Sequence, residues 1–381
     1  MKVMHIITGL STGGAEMMLF KLLAQTDLKK YESEVVSLTN FGPVGERISQ
    51  LGVRVRALNM RRGVLNPVAA ARLYSWLRKS APDVVQTWMY HADLMGGLMA
   101  KIAGVRSIAW GIHHSTLDPK LSKRSTILTA KMCAKGSKTI PNRIVCCSES
   151  SRTVHSDLGY DSSKMVVIPN GFDLSDFKPD PAMRDSLRQE LAIPLDAAIV
   201  GLVGRFNPQK DHQGFIQAAS LLSRKLPNVH FVLCGDDIVW ENEALSAWIQ
   251  AVGIASKCHL LGRRHDIARL FAAFDVFCSA SYSEAFPNVI GEAMACGVPC
   301  VVTDVGDCAA MVGNTGKVVA PSDSAALAKA LADVLQLTAD ERAALGVQAR
   351  NRVDGNYSLS MVVSRYERLY DELANGGSGC R

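Results

Sequence analysis

The chain has 381 residues, of which 48% are apolar and 20% are charged, a balance typical of soluble globular proteins. Its length predicts two domains of ~100–200 residues each, and its composition argues against a disordered chain. No uncharged apolar run approaches the ~20 residues of a membrane-spanning helix, and nothing at the start resembles a signal peptide, so we expect a cytoplasmic protein. The ten cysteines form no Cys-x-x-Cys pair, which argues against zinc and for buried free thiols.

The net charge of +6 conceals an asymmetry along the chain. Residues 1–175 carry 23 Lys and Arg against 12 Asp and Glu, a net charge of +11, whereas the remainder carries a net charge of −5. A basic first half is suited to an anionic membrane surface or a phosphate-bearing acceptor. We expect no nucleic-acid partner, because no motif combines aromatic and basic residues.

Apolar strand-like runs alternate with amphipathic helical patterns from end to end. The runs are continuous rather than alternating, as in parallel strands that are covered on both faces. The pattern predicts repeated βαβ units in doubly wound sheets. The predicted strands are Val3–Thr8, Ser33–Leu38, Val53–Leu58, Asp83–Gln86, Ser107–Ile112, Arg143–Cys147, Met165–Ile168, Ala198–Val203, Val229–Cys234, Cys258–Leu260, Val276–Ser279, Pro299–Thr303 and Lys317–Val319.

A domain boundary is predicted after the seventh run, where turn residues at Ile168–Asp173 lead into a proline-containing linker at Phe177–Pro181. Because ligands bind beyond the carboxyl ends of parallel strands, we expect the two sheets to face each other across a cleft. The predicted parts are a first domain at 1–177, a second domain at 178–357, and residues 358–381, which combine a helix (Ser358–Leu373) that packs back on the first domain with a flexible tail.

The first candidate motif, Thr8–Glu16, follows the first strand and opens a helix. Gly13 and Gly14 let backbone N–H groups approach a ligand closely, and a helix N-terminus favours an anion. The motif is neither Gly-x-Gly-x-x-Gly nor a P-loop. A tight strand-to-helix turn without a ligand is an equally acceptable interpretation.

The second motif, Gly204–Asp211, follows the first strand of the second half. Arg205 and Lys210 lie five residues apart across a proline-containing loop that opens a helix. Two cations beside a helix N-terminus are suited to a diphosphate. The alternative is a pair of solvated loop cations.

The third motif, Ser283–Pro299, is the strongest, and it follows a predicted strand. Glu284 lies before a helix and Glu292 within it, so both carboxylates can accept hydrogen bonds from sugar hydroxyls. Phe286, Pro287, Asn288 and Val289 lie where the helix begins. The backbone N–H groups of this segment can bind phosphate, except at Pro287, which has none. The alternative is a cap at Glu284 and a solvated residue at Glu292, but the apolar run around Glu292 argues against it.

Together these segments resemble the family-4 retaining glycosyltransferases of the GT-B fold. Glu284-x7-Glu292 is similar to the paired-glutamate motif of that family, Gly204-Arg205 with Lys210 to its diphosphate-binding pair, and Gly13-Gly14-Ala15-Glu16 to its N-terminal Gly-Gly-x-Glu. The resemblance extends to the interdomain segment Ile168–Asp173 and to the nucleotide-holding loops Leu233–Asp236 and Leu261–Arg263, and thus covers nearly the whole chain.

The resemblance implies that residues 1–177 form the acceptor-side domain, that residues 178–357 form the nucleotide-sugar-binding domain, and that the donor makes a set of contacts. Arg205 and Lys210 would neutralise the departing diphosphate, Glu292 would bind the ribose, and Glu284 would bind a hydroxyl of the transferred sugar. Gly13 and Gly14 would lie beside the diphosphate or the acceptor. Further donor-binding residues implied by the matching motifs are Asn170, Asp236, Arg263, Phe286, Pro287, Asn288 and Val289.

A histidine after the strand Ser107–Ile112 matches the donor-sugar contact of the family. We favour His113, because it follows the strand directly, but His114 remains an alternative. A loop histidine that simply satisfies its own hydrogen bonds is also possible, since a neutral imidazole bonds readily. Glu284, His113, Arg205 and Lys210 are therefore the predicted catalytic residues.

The resemblance also implies how the reaction proceeds. The chain has no Asp-x-Asp to hold a magnesium diphosphate, so we expect no metal and no cofactor, with protein cations in place of the metal. Double displacement needs a carboxylate nucleophile, and the first half offers none at a motif position. We therefore expect front-face departure, in which the acceptor hydroxyl attacks as the diphosphate leaves.

The segment Lys120–Lys138 places basic residues on one helical stripe and Leu121, Leu128 and Met132 beside it. Such a helix can lie on an anionic membrane, or it can be a surface helix with its apolar strip in the core.

The predicted function is transfer of a sugar from a UDP- or GDP-sugar to a glycan or lipid-linked acceptor of a bacterial surface polysaccharide, by a cytoplasmic protein that can bind the inner membrane face. The rivals are a sugar-nucleotide epimerase and a catalytically silent binding subunit.

Overall fold

The structure, a computed structural model, describes residues 1–61, 66–114, 117 and 123–376. The chain forms two compact units. The first comprises Met1–Gly171 and the C-terminal segment from Leu359, and the second comprises Phe172–Ser358. The sequence placed the boundary between 177 and 178, so the segment Phe172–Phe177 belongs to the second unit rather than to the first.

The first unit is built on a seven-stranded sheet in which every pairing is parallel. The strand order is β3-β2-β1-β4-β5-β6-β7, so the order reverses between β1 and β4. The elements are β1 (Lys2–Ile7), α1 (Gly14–Gln25), β2 (Glu32–Ser37), α2 (Gly42–Gln50), β3 (Arg54–Ala57), α3 (Pro67–Ser80), β4 (Val84–Trp88), a π-helix (Ala92–Gly96), α4 (Gly97–Ile102), β5 (Ser107–Ile112), α5 (Arg124–Ser137), β6 (Arg143–Cys146), α6 (Glu149–Asp157) and β7 (Met165–Val167).

A hydrophobic core lies on each face of this sheet. On one face α1, α2 and the C-terminal helix contribute side chains such as Leu19, Ile48 and Tyr366. On the other face α3, α4 and α5 contribute side chains such as Leu73 and Ala130. Strands β4 and β5 are buried along their whole length, which explains why their sequences do not alternate between apolar and polar residues.

The second unit contains a six-stranded parallel sheet in the order β10-β9-β8-β11-β12-β13, so its order reverses between β8 and β11. Its elements are α7 (Pro181–Glu190), β8 (Ala198–Val203), α8 (His212–Lys225), β9 (Val229–Cys234), α9 (Glu243–Ala251), β10 (Cys258–Leu260), α10 (Ile267–Ala273), β11 (Val276–Ser279), α11 (Asn288–Ala295), β12 (Cys300–Thr303), α12 (Cys308–Val312), β13 (Gly316–Val319), α13 (Ser324–Leu335) and α14 (Ala339–Tyr357). The predicted fold class, two Rossmann-like halves with doubly wound parallel sheets, is confirmed.

The last helix, α15 (Leu359–Gly376), belongs to the first unit and packs on α1. It extends through Asn375 and Gly376, which the sequence had assigned to a flexible tail. The remaining tail residues, 377–381, lie outside the described residues, as do Lys120 and Leu121 of the predicted basic stripe. Within the described residues, none of the helices combines the length and apolarity that crossing a bilayer requires.

Gly291 on α11 lets that helix pack against Phe172. A Cβ atom at position 291 would lie 2.1 Å from the Phe172 ring, which is closer than van der Waals contact allows. We predict that Gly291→Ala lowers the stability of the second unit by about 1–3 kcal/mol, because overpacking displaces the ring or the helix. The measurement is the urea midpoint of the second unit.

Gly355 on α14 provides the matched control for Gly291→Ala. An added Cβ atom meets nothing within 4 Å there. Gly355→Ala should therefore be neutral or stabilising by up to about 1 kcal/mol, since alanine favours a helix. Equal midpoints for the two variants would contradict the packing argument.

Candidate functional site

The second unit gathers its candidate residues where its strand order reverses. Strand β8 lies between β9 and β11, and the loops that follow β8 and β11 leave the sheet in opposite directions from adjacent strands. In doubly wound sheets this position forms the ligand crevice, beyond the carboxyl ends of the strands. The loop after β8 carries Arg205 and Lys210, and the loop after β11 carries Glu284.

Backbone hydrogen bonds hold three loops side by side at this edge. The Gly204 N–H donates to Cys234 O at 2.8 Å, and the Gly235 N–H donates to Gly262 O at 2.9 Å. Gly235 has a φ of +156°, and a Cβ atom there would lie 2.1 Å from Gly204 O, so only glycine fits. The loops after β8, β9 and β10 therefore form one layer with closely approaching backbones.

Lys210 and Glu284 form an ion pair between the loops that follow β8 and β11. The same carboxylate oxygen, Oε1 of Glu284, accepts a hydrogen bond from Ser281 Oγ at 2.7 Å. The Glu284 side chain is only 12% exposed, so this pair is shielded from most of the solvent. The Tyr282 N–H further ties the two loops by donating to Gln209 O at 2.7 Å.

Arg205 lies on the same loop as Lys210 but is exposed. In the described part of the chain its guanidinium makes no ion pair and no hydrogen bond. The site thus combines one cation already held by a carboxylate with a second cation that is available to an anion. This arrangement can bind a diphosphate at two points.

Helix α11 presents the rest of the third motif. Pro287 occupies the N-cap position and its side chain makes no capping hydrogen bond, and Asn288 and Val289 lie in the first turn. Glu292 is half-buried on this helix. The Phe286 ring is directed inward, stacking on Phe172 at 6.1 Å between centroids, so only its backbone is available to a ligand.

Asp236 and Arg263 lie on the loops after β9 and β10. Their side chains form an ion pair of 3.7 Å between Arg263 Nε and Asp236 Oδ1. Both are more than half exposed, so the pair adds little stability by itself. It does bring the two predicted nucleotide-binding loops together.

In the first unit, Gly13 caps α1 and Gly14 is its first residue. A Cβ atom at Gly13 would lie 2.4 Å from Oε2 of Glu16, so this carboxylate lies over the start of the helix. An anion bound at this helix end would meet a negative charge, and this weakens the interpretation of Gly13 and Gly14 as a diphosphate cradle. Asn170 is also in the first unit and is 7% exposed.

His113 follows β5, at the carboxyl edge of the first sheet. Its ring stacks on Trp88, with 5.0 Å between centroids and 13° between planes. Its Nε2 is buried without a hydrogen-bond partner in the described residues, and burial lowers the pKa of the imidazole to about 4. His114 is exposed and contacts Tyr90 edge-on at 6.1 Å.

The structure therefore pairs Lys210 with Glu284, and Asp236 with Arg263, in the second unit. Gly13, Gly14, Asn170 and His113 belong to the other unit. Among the described residues there is no cluster of three or more His, Cys, Asp or Glu with the spacing of a metal site.

Two family models match the chain in succession. The model described as Glycosyltransferase Family 4 matches residues 12–176, and the model described as Glycosyl transferases group 1 matches residues 183–352. The matches fall on the two structural units in turn and cover most of the chain between them. The protein belongs to the family-4 glycosyltransferases of the GT-B fold.

Two similar proteins of known activity are bacterial glycosyltransferases. UDP-Gal:alpha-D-GlcNAc-diphosphoundecaprenol alpha-1,3-galactosyltransferase of Escherichia coli is 26% identical over 308 residues, which cover 79% of this chain and 78% of that protein. The N,N'-diacetylbacillosaminyl-diphospho-undecaprenol alpha-1,3-N-acetylgalactosaminyltransferase of Campylobacter jejuni is 25% identical over 379 residues, which cover 96% and 98%.

Solved structures show the same fold. The crystal structure of Anabaena HepE in complex with UDP has a TM-score of 0.86 at 23% identity and covers 98% of this chain and 100% of that one. WaaG, a glycosyltransferase involved in lipopolysaccharide biosynthesis, has a TM-score of 0.72 at 16% identity, with full coverage of both chains.

Sequence reasoning did not identify two residues of this glycosyltransferase that make hydrogen bonds at or near the site residues. Ser281 bonds Glu284, but a serine after a strand is too common to be noticed. Asp93, in the π-helix, is fully buried, and its Oδ1 accepts from Thr87 Oγ1 at 2.5 Å and from the Gly111 N–H at 3.1 Å. Burial raises the pKa of Asp93 to about 8, and a lone acid in an apolar stretch was the available signal.

His113 should make the stability of this glycosyltransferase depend on pH. Its pKa is about 4 in the folded chain, against 6.5 for a free histidine, so between these values only the unfolded chain binds the proton. Acidification from pH 6.5 towards 4 therefore favours unfolding. We predict that His113→Gln reduces the loss of urea-midpoint stability between pH 7 and pH 5.

His265→Gln is the control for this experiment, because His265 is exposed on a loop of the second unit. It should leave the pH dependence of the wild type in place. The interpretation of His113 is wrong if both variants lose the same stability on acidification as the wild type.

Proposed function

We propose that this glycosyltransferase is a retaining hexosyltransferase that moves a sugar from a UDP- or GDP-sugar to a hydroxyl of a lipid-linked or polysaccharide acceptor, without a metal ion. The observation that carries the proposal is the ion pair of Lys210 and Glu284, with the unpaired Arg205 beside it, at the strand-order reversal of the second sheet. This is where a doubly wound sheet binds a nucleotide.

The donor is proposed to occupy the second unit through its diphosphate. Arg205 and Lys210 would contact phosphate oxygens, and the N-terminus of α11 would add the favourable end of the helix dipole. Glu292 would accept hydrogen bonds from the ribose, and the Asp236 and Arg263 loops would flank the base. The UDP bound in the HepE structure supports uridine over guanosine.

The proposed reaction depends on the negative charge that develops on the leaving diphosphate. As the bond between the anomeric carbon and the diphosphate oxygen breaks, negative charge develops on the leaving group, and the two cations would stabilise that charge most in the transition state. The acceptor oxygen forms the new bond on the same face, and its proton passes to a phosphate oxygen of the leaving diphosphate. Glu284 would orient the transferred sugar, and the neutral imidazole of His113 would accept or donate one hydrogen bond to it.

The acceptor class rests on the relatives. Both named enzymes act on sugars linked to undecaprenyl diphosphate, according to their names. A lipid-linked acceptor would place the reaction of this glycosyltransferase at the inner face of the plasma membrane, with the protein bound peripherally. The strongly basic first half of the sequence is consistent with such an acceptor.

We predict that Arg205→Ala lowers kcat/KM by about 30- to 1,000-fold, which corresponds to ~2–4 kcal/mol of lost transition-state stabilisation. Arg205 gives the cleaner test, because Lys210→Ala also leaves Glu284 without its cation. The measurement is transfer of radiolabelled sugar from UDP-glucose, UDP-galactose and their N-acetylated forms to a short polyprenyl-diphosphate-linked sugar.

Arg224→Ala is the matched control, since Arg224 is an exposed cation in the last turn of α8. It should keep wild-type activity. Wild-type kcat/KM in both Arg205→Ala and Lys210→Ala would rule out the diphosphate assignment.

We further predict that the product keeps the anomeric configuration of the donor and that EDTA leaves the rate unchanged, because side-chain cations neutralise the diphosphate. Proton NMR of the product reports the configuration through its anomeric coupling constant. An inverted product would refute retention, and loss of activity in EDTA that Mg²⁺ restores would refute metal independence.

Two outcomes would favour a rival function. Release of an epimerised donor without acceptor would favour an epimerase, and tight UDP binding without any transfer would favour a silent subunit.

A further inference from the structure

The exposed apolar side chains of the first unit are confined to three helices. Every large hydrophobic residue that is more than about a third exposed in the described part of this unit lies on α3, α4 or α5. These helices cover the same face of the sheet, whereas none of these residues lies on α1, α2 or α15 of the opposite face. The residues are Val68, Tyr74, Leu98, Ile102, Leu128 and Met132, and we call the outer surface of the three helices the basic face.

The charge of the basic face is one-sided as well. The sequences of α3, α4 and α5 contain no Asp or Glu, while α1, α2 and α15 all contain at least one. Cations in the last turn of a helix are explained by the helix dipole, but Arg124 begins α5, where the dipole opposes a positive charge. The exposed cations of the three helices are Arg72, Arg78, Lys79, Lys101, Arg124, Lys131 and Lys135.

A groove of about 480 Å³ lies on this face, between α5 and the end of α6. Three lysines spaced four and three residues apart, Lys131, Lys135 and Lys138, line it over an apolar floor of Ala134 and Leu158. Within the described residues, none of the three lysines forms an ion pair. The nearby carboxylate of Asp161 is already engaged by Ser163 and Lys164.

The predicted basic stripe is thus part of a larger surface. Leu128 is 60% and Met132 is 47% exposed, so the apolar strip of α5 is not buried in the core as the alternative interpretation required. Phosphate groups match the lysine groove, and acyl chains match the apolar side chains beside it. One surface that presents both features fits the interface of an anionic bilayer.

We propose that the basic face docks on an anionic phospholipid bilayer, with lipid phosphates in the lysine groove and Leu128 and Met132 inserted at the headgroup boundary. The role of this docking, which is to bring the protein to a lipid-linked acceptor, rests on the proposed function. The docking itself requires neither donor nor acceptor. Basic residues near an anionic surface and buried apolar area both strengthen such binding, and the electrostatic part weakens with salt.

The test is flotation of the full chain with vesicles of phosphatidylcholine alone and of phosphatidylcholine with 30% phosphatidylglycerol. We expect binding to the anionic vesicles at low salt and little binding to the neutral ones. Replacing Lys131, Lys135 and Lys138 with Gln should weaken binding by about a hundredfold, at ~1 kcal/mol per basic residue. Leu128→Ser with Met132→Ser should also reduce binding, and this loss should persist at high salt.

Matched variants in the second unit control for net charge and for exposed apolar area. Replacing the exposed Lys225, Lys317 and Lys329 with Gln removes the same charge, and Leu195→Ser with Val347→Ser removes comparable exposed side chains. These variants should bind vesicles like the wild type. Circular dichroism of every variant confirms that it is folded.

Three outcomes would overturn the proposal: no binding of the wild type to anionic vesicles at low salt, equal losses in the lysine variant and its control, or equally tight binding to duplex nucleic acid at 150 mM salt. Failure of the proposed function gives a different pattern. A chain that binds vesicles but transfers no sugar would refute the function and retain the docking, and a chain that transfers sugar without binding vesicles would do the reverse.

Discussion

The ion pair between Lys210 and Glu284 is the contact on which the donor-side arrangement depends. These residues lie 74 positions apart, and they meet because β8 and β11 are adjacent parallel strands whose carboxyl ends share one edge of the sheet. The Tyr282 N–H donates to Gln209 O and fixes the two loops to each other, while Ser281 holds Glu284 within its own loop. The sheet therefore positions a cation and a carboxylate before any ligand arrives, which is what electrostatic preorganisation requires.

The two cations of this loop are held differently, and the difference has a physical consequence. Lys210 is oriented by a shielded carboxylate, so little conformational entropy remains to be lost when it meets a phosphate. Arg205 is exposed and keeps its full hydrogen-bonding capacity, but it must be ordered on binding. A leaving diphosphate would thus meet one preorganised cation and one adaptable cation.

In the first unit, the two faces of the sheet and its carboxyl edge carry different features. One face carries α15 and buried aromatic side chains that include Trp88 and Tyr366, and these support the stacked ring of His113 at the carboxyl edge. The other face carries α3, α4 and α5, which contain no acidic residues and present exposed apolar side chains. One sheet thereby supports both His113 at its carboxyl edge and a surface suited to an anionic partner.

The sequence alone determined the strands of the described residues, the two doubly wound halves and the family, because buried parallel strands are continuous apolar runs and the family motifs are local. It also named Glu284, Lys210 and Arg205 from their loops. Only the tertiary structure decided that Glu284 pairs with Lys210 and that the Phe286 ring is directed towards Phe172. It also decided that Asp93 accepts a hydrogen bond from the Gly111 N–H, two residues before His113, and that α15 belongs to the first unit. These contacts join residues that are distant in the chain, so they follow from strand order and side-chain packing, which no local pattern encodes.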